Sequence, residues 1–281
     1  MHPPRSTALF TTRALILAVA LALAAPSARA EQAVLWLKTE WPPVFMNGGG
    51  GFGDHAMGWL IDRLPGYRHD IRNLPLARLL KSMEQADTIT CASGLARTPA
   101  REAQFLISHD LMRMPGLALV VRAADLNDFN ALRNPDGSIA MRRLLGQSEL
   151  DGAIHESRSY GHALDEVLRS APSAAPVSRL SKTASMLSML AAKRVDWLLL
   201  YPFEATWQAR QSNVDTAVVS LPVAEVPPTI RGGITCNRAA GSAELVAKID
   251  QLIASQPGQP WLAPMMEWLD PEARKRLSAL P

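Results

Sequence analysis

The sequence predicts an α/β chain built on mostly parallel sheets and divided into two lobes. Three observations carry that prediction. Strand-like runs alternate with helix-like stripes whose apolar residues recur at i, i+3, i+4 and i+7. Two stretches break the alternation, residues 125–138 and the region around Pro227-Pro228, so the chain leaves a first lobe and later returns to it. The 281 residues, less a leader of thirty, are enough to bury two separate cores.

Residues 1–30 read as a signal peptide. Arg5 and Arg13 give a basic start, residues 14–25 are almost wholly apolar, and Ala28-Arg29-Ala30 has the A-x-A form of a cleavage site, which places cleavage before Glu31. The apolar run is well short of the roughly 20 residues that a spanning helix needs, which favours a cleaved leader over a retained anchor. No cysteine follows it, which excludes lipid attachment at the cleavage point. The leader's three arginines account for the formal charge of +3, so the remaining chain is near neutral and without basic runs. A polyanion-binding surface needs a charge excess, and nucleic acid is therefore not an expected partner.

Beyond the leader, residues 34–38 form a β-rich strand, 57–64 a helix, and 67–73 an alternating strand. Leu76, Leu79, Leu80 and Met83 make a helical stripe, and residues 88–92 the next strand. The run 117–122 ends this block. The rhythm resumes with a strand at 151–155, a stripe at Tyr160, Ala163, Leu164, Val167 and Leu168, a Met/Leu-rich helix at 184–193 and a continuous apolar strand at 195–201. A run at 217–223 and the two prolines precede a strand at 230–237, a stripe at Leu245, Ile249, Leu252 and Ile253, and a Trp/Pro-rich tail. The expected division is therefore lobe 1 over residues 31–122, lobe 2 over 123–224, and a return to lobe 1 over 225–281. Two connections make a hinge, and small ligands bind between lobes. The apolar stripes are core and carry no function.

The stretch WPPVFMNGGGGFGDHAMGWL needs a separate reading, because Gly48, Gly50 and Gly53 spell G-x-G-x-x-G and Asp70 follows at a suitable distance. A dinucleotide fingerprint puts its first glycine at the end of the strand, whereas residues 39–47, with two prolines, intervene here. No nucleotide cofactor is expected. Trp41-Pro42-Pro43 instead holds an aromatic in extended chain at a pocket rim, and a flexible loop over residues 48–53 leads to Asp54 as helix N-cap.

Candidate chemistry lies at strand-to-helix turns. Thr98-Pro99 is a helix start that places Arg101 in the first turn, where a cation opposes the helix dipole unless an anion is bound. The alternative is a surface pair with Glu102 or Glu84, or solvent. Ser157, Arg158, Ser159 and Tyr160 form a second turn suited to a small anion, although serine at a helix start is also an ordinary cap. Trp41, Tyr201 and Glu204 stand after strands and either wall a pocket or pack and face solvent. No G-x-S-x-G, H-E-x-x-H or P-loop occurs, and the scattered histidines and two cysteines make no metal site. Cys91 and Cys236, in an oxidising compartment, are either a disulfide or two buried thiols.

The order of elements resembles the type II periplasmic binding proteins, in particular the extracellular solute-binding family 3 that serves ABC transporters. GLARTPAREAQFLIS resembles the family stretch in which a threonine precedes by three residues the arginine that binds the ligand carboxylate; Thr98 and Arg101 fit. GAIHESRSYGHALDEVL resembles the second-lobe turn, and MLAAKRVDWLLLYPFE the helix and strand that follow. The resemblance implies two lobes closing on a small carboxylate ligand without chemistry, no cofactor, a monomer, and a membrane permease or sensor as partner. It also implies that Cys91 and Cys236 lie on neighbouring strands of the first sheet, which favours the disulfide. Where amino-acid binders commonly present an aspartate for the α-ammonium group, this chain has Tyr201, so either Glu204 substitutes or the ligand lacks an amino group. Relatives include dehydratases, and an enzyme on this scaffold would take Glu204 or His155 as general acid.

Overall fold

In the computed structural model the described residues are 31–95, 97–156, 158–172, 175–212 and 216–279. The signal peptide and Ser157 thus lie outside the described residues. Apart from Gln32, the first residue of β1, the architecture belongs to the compact unit Ala33–Pro281.

Two five-stranded sheets organise this unit. The first contains β1 (Gln32–Lys38), β2 (Tyr67–Asn73), β3 (Ile89–Ala92), β4 (Leu106–Pro115) and β10 (Thr229–Cys236) in the order β2-β1-β3-β10-β4. The second contains β5 (Ala118–Arg122), β6 (Gly152–His155), β7 (Val177–Leu180), β8 (Trp197–Leu200) and β9 (Val218–Pro222) in the order β7-β6-β8-β5-β9. Both sheets are mixed. β1 and β3 are parallel, as are β6, β7 and β8, but β10 runs antiparallel to β3 and β4, and β5 antiparallel to β8 and β9. The expected mostly parallel character is thus diluted by the strands that enter from the crossovers.

Burial follows position in the sheet. The inner strands β3, β5 and β8 are buried at every residue, whereas the edge strand β2 is exposed beyond Tyr67 except at the half-buried His69. Each sheet is covered on both faces, so side chains alternate between two cores. Trp197, Leu199, Leu119 and Val121 enter one core of the second sheet, with Phe129; Leu198, Leu200 and Val120 enter the other, with Leu187. In the first sheet Val34 and Trp36 join Phe45, Phe52 and Trp261, while Leu37 packs with Leu79, Met83 and Phe105.

Three boundaries differ from expectation. The run 117–122 was assigned to lobe 1, but β5 is a strand of the second sheet, so the first crossover lies at Gly116 and Leu117. There Gly116 N–H donates to Pro228 O at 2.9 Å, and a Cβ on Gly116 would sit 2.1 Å from Pro227 O. Only glycine lets the two crossovers touch. Second, residues 41–45 form a tight turn rather than extended chain: Trp41 O accepts from Val44 and Phe45 N–H, and Trp41 N–H donates to Phe45 O at 2.9 Å. The Pro42–Pro43 bond is cis. Third, the following helix α1 (Phe52–Ile61) begins before Asp54 and has Gly51 as its N-cap. Asp54 closes the loop from inside the helix, accepting from Gly51 N–H at 3.0 Å and Met46 N–H at 2.9 Å while pairing with the buried Lys38 ammonium. A Cβ on Gly51 would lie 2.2 Å from Val44 O, so this glycine serves close packing against the turn.

The other α-helices among the described residues are α2 (Leu76–Gln85), α3 (Pro99–Gln104), α4 (Met141–Leu144), α5 (His162–Arg169), α6 (Thr183–Ala191), α7 (Pro202–Gln211), α8 (Ser242–Ala254) and α9 (Pro271–Ser278). The last is capped by Asp270 and reaches the second sheet, where Arg276 donates to Ser220 O at 2.6 Å. The sulfurs of Cys91 and Cys236 are bonded, and the two residues face each other across the β3–β10 pair.

Candidate functional site

The residues singled out from sequence follow the carboxyl ends of four strands: Trp41 after β1, Thr98 and Arg101 after β3, Arg158 to Tyr160 after β6, and Tyr201 and Glu204 after β8. Within each sheet these strands run parallel, so each pair of turns emerges on the same edge. That edge is where open α/β sheets place ligands, because the connections diverge there and helix N-termini point outward.

Four of the residues meet. Glu204 is buried and accepts from Trp41 Nε1 at 2.6 Å, from Arg158 Nη1 and Nη2 at 2.6 and 2.8 Å, and from the Tyr201 N–H at 3.3 Å. The bidentate fork is the strong geometry for a guanidinium and a carboxylate. Trp41 stands edge-on to Tyr201 at 5.5 Å and to Phe203 at 5.6 Å, Tyr201 stacks on Phe203 at 5.2 Å, and the Arg158 guanidinium lies 5.7 Å from the centre of the Tyr201 ring. Tyr201 packs against the cores of both lobes, and Phe203, from a helix that follows the second sheet, is buried in the core of the first. The cluster therefore joins the lobes.

The local chain explains why. Pro202 starts α7, which fixes Tyr201 as its N-cap and brings Glu204, three residues on, back to the Tyr201 N–H. Burial acts against the charged form of Arg158, but the hydrogen bonds and charge of Glu204 outweigh it and raise the guanidinium's pKa above its ordinary value. Four donors thus converge on the Glu204 carboxylate. The His155 backbone N–H donates to the Tyr160 hydroxyl at 2.7 Å.

The other turns are arranged differently. Thr98 caps the short helix α3, its hydroxyl accepting from Arg101 N–H at 3.3 Å. Glu102, a candidate partner of Arg101, is paired with Arg97 at 2.9 Å. Ser159 donates to Asp165 Oδ2 at 2.6 Å, and Tyr160 N–H donates to Asp165 Oδ1 at 2.8 Å, so this carboxylate organises the turn. Tyr160 is buried in the second lobe's core; it belongs to the apolar stripe in which the sequence also placed it. Arg158, Ser159 and Tyr160 border a surface cavity of about 410 Å³, shared with Arg169 and Arg179. Phe203, the platform beneath Tyr201, was missed; its position directly after the N1 proline was the available signal.

Burial raises the pKa of both Tyr160 and Tyr201, the latter helped by the Glu204 charge. A raised value means that the fold prefers the neutral phenol. Its contribution is complete below the unfolded tyrosine value of about 10 and is lost as pH rises through the folded values. Melting curves between about pH 8 and pH 11 should fall off above about pH 10, and Tyr201→Phe, which keeps the stacking, should flatten that decline.

Fold and site edge together define the class: the chain has the two-lobed fold of the type II periplasmic binding proteins. No protein-family model and no curated protein matches it. Among solved structures it is similar to the probable amino-acid ABC transporter extracellular-binding protein YtmK of Bacillus subtilis, at 18% identity over 85% of this chain and 97% of that one, with a TM-score of 0.60. It is similar to the L-cystine solute receptor of Neisseria gonorrhoeae in its unliganded open conformation, at 16% identity over 84% and 92% of the two chains, with a TM-score of 0.59. A histidine kinase sensor domain with similarity to periplasmic binding proteins aligns at 16% identity over 86% and 99%, with a TM-score of 0.56. No helix among the described residues is long and apolar enough to cross a membrane.

Proposed function

We propose that the protein is an exported solute-binding protein that captures a small carboxylate-bearing solute between its two lobes by hinge closure and passes it to a membrane permease. One observation carries this reading: turns from the carboxyl ends of parallel strands in both sheets converge through the contact of Trp41 with Glu204 and Tyr201. A cleft opening beside these two aromatics and the Arg101 and Arg158 turns would suit a small organic anion. Arg101 clamps the carboxylate with the Thr98 turn, and the Ser157–Tyr160 turn closes on it from the second lobe. The neighbours named as amino-acid and cystine binders support a solute of this size.

Thermal-shift screening of amino and organic acids identifies ligands, and titration of the best one tests the clamp. Arg101→Ala should weaken that ligand by about ten- to a hundredfold, the effect of about 1.5–3 kcal/mol for a hydrogen bond to a charged group. Unchanged affinity would remove Arg101 from the site. Likeness to a kinase sensor domain supports a second reading, in which occupancy is reported to a membrane signalling protein. Loss of solute uptake on gene deletion distinguishes transport from loss of a transcriptional response.

A further inference from the structure

We infer that the protein has a second binding site, at the hinge, for a small apolar molecule that carries one carboxylate. The inference does not depend on how the space between the lobes is used. Where Gly116 N–H meets Pro228 O at 2.9 Å, the two crossovers and α9 surround a cavity of about 410 Å³. Small-molecule sites commonly measure about 300–1,000 Å³. The lining is mainly apolar, with Leu117 from the first crossover, Val226 from the second and Leu277 from α9. Pro227 and Pro228 add to it, and proline brings no N–H donor to a wall.

One cation interrupts this lining. Arg276 donates through Nη1 to Ser220 O at 2.6 Å, which uses one of the five N–H donors of a guanidinium. Among the described residues no carboxylate lies within ion-pair distance of it. Burial strips water from Arg276 and pushes its pKa below the ordinary arginine value; Asp270 and Glu272 oppose that shift without cancelling it, and the charge of Arg133 adds to it. Arg133 Nε is itself buried without an acceptor. The carboxylate in the lining, Asp136, is exposed and accepts from the Ser138 N–H at 2.9 Å and the Ser138 hydroxyl at 2.6 Å, so it serves its own turn. An apolar cavity thus holds a partly desolvated cation, and a cation away from water is costly until an anion meets it. A carboxylate on an apolar body matches both features. Both crossovers wall the cavity, so a molecule seated there favours the lobe angle that fits it best.

The test titrates hexanoate and octanoate calorimetrically into the protein, each beside the alcohol of the same chain length, which keeps the apolar body and lacks the charge. At least one acid should bind saturably and about tenfold more tightly than its alcohol, the factor that a hydrogen bond to a charged group supplies. Arg276→Gln should weaken that acid by about tenfold and leave the alcohol within about twofold. Val226→Trp, which narrows the cavity from the second crossover and keeps Arg276, should weaken acid and alcohol alike. The comparison of acid with alcohol in the unchanged protein holds whether or not either variant folds. No saturable binding of either acid, or equal binding of acid and alcohol, overturns the inference. So does acid binding that neither variant weakens, because the acid then lies elsewhere, the space between the lobes included.

Discussion

Replacing Cys91 and Cys236 together by alanine lowers the melting temperature by about 10–20 °C, the largest effect expected of any change in this chain. The bridge closes a loop of 145 residues, and in the chain-entropy account that constraint on the unfolded chain is worth about 5 kcal/mol. Its position makes the figure matter. β10 is the strand by which the chain re-enters the first sheet, and it is inserted between β3 and β4. Both cysteines are fully buried where β3 and β10 face each other. The same bond therefore fastens the return segment and steadies β3, whose carboxyl end leads to Thr98 and Arg101. Thermal denaturation with and without a reductant able to reach the bond measures the effect, and an unchanged midpoint in the double variant would refute it.

Glu204→Ala costs about 3 kcal/mol, seen as a midpoint lower by about 6–12 °C. The loss does not come from the attraction in the pair, much of which desolvation offsets. It comes from leaving the Arg158 guanidinium, whose side chain is only 22% exposed, without a counter-charge, and from removing the acceptor of the Trp41 indole. Removing Arg158 in the Glu204→Ala background should therefore cost much less than removing it alone. A double-mutant cycle with Arg158→Met should show a coupling of about 1–3 kcal/mol. Additive effects would mean that the two residues act separately.

Local pattern made much of the fold legible. The stripe at Leu76, Leu79, Leu80 and Met83 and the run before Tyr201 became helix α2 and strand β8 because their periodicity is a property of the segment itself. β4 escaped because LISHDLMRMP mixes polar and apolar residues without a clean period. β5 was recognised as a strand but placed in the wrong sheet, since its partners β8 and β9 lie far along the chain. The site divides in the same way. The strand-end turns could be read locally, whereas the pairing of Arg158 with Glu204, 46 residues apart, and of Trp41 with Glu204, 163 residues apart, depends on the tertiary arrangement. Tyr160 fitted two patterns at once, and its ring is buried in the second lobe's core.

The glycine-rich stretch shows how a local spelling misleads. Gly48, Gly49 and Gly50 take positive φ values of 86°, 87° and 92°, which glycine adopts without strain, while Gly51 is required by contact with the Val44 carbonyl. Their service is to fold the loop back onto the Trp41–Phe45 turn. Trp41 is thereby held against Tyr201 and Phe203, and what resembled a cofactor turn becomes support for a wall between the lobes.

On the proposed function, a carboxylate is held between the lobes by the strand-end turns. A crystal structure with the tightest-binding acid of the screen tests it most directly. The carboxylate should lie within hydrogen-bonding distance of the Arg101 guanidinium, between the two sheets and beside Trp41. A solute bound outside that space, or with its acid group facing away from Arg101, would contradict it.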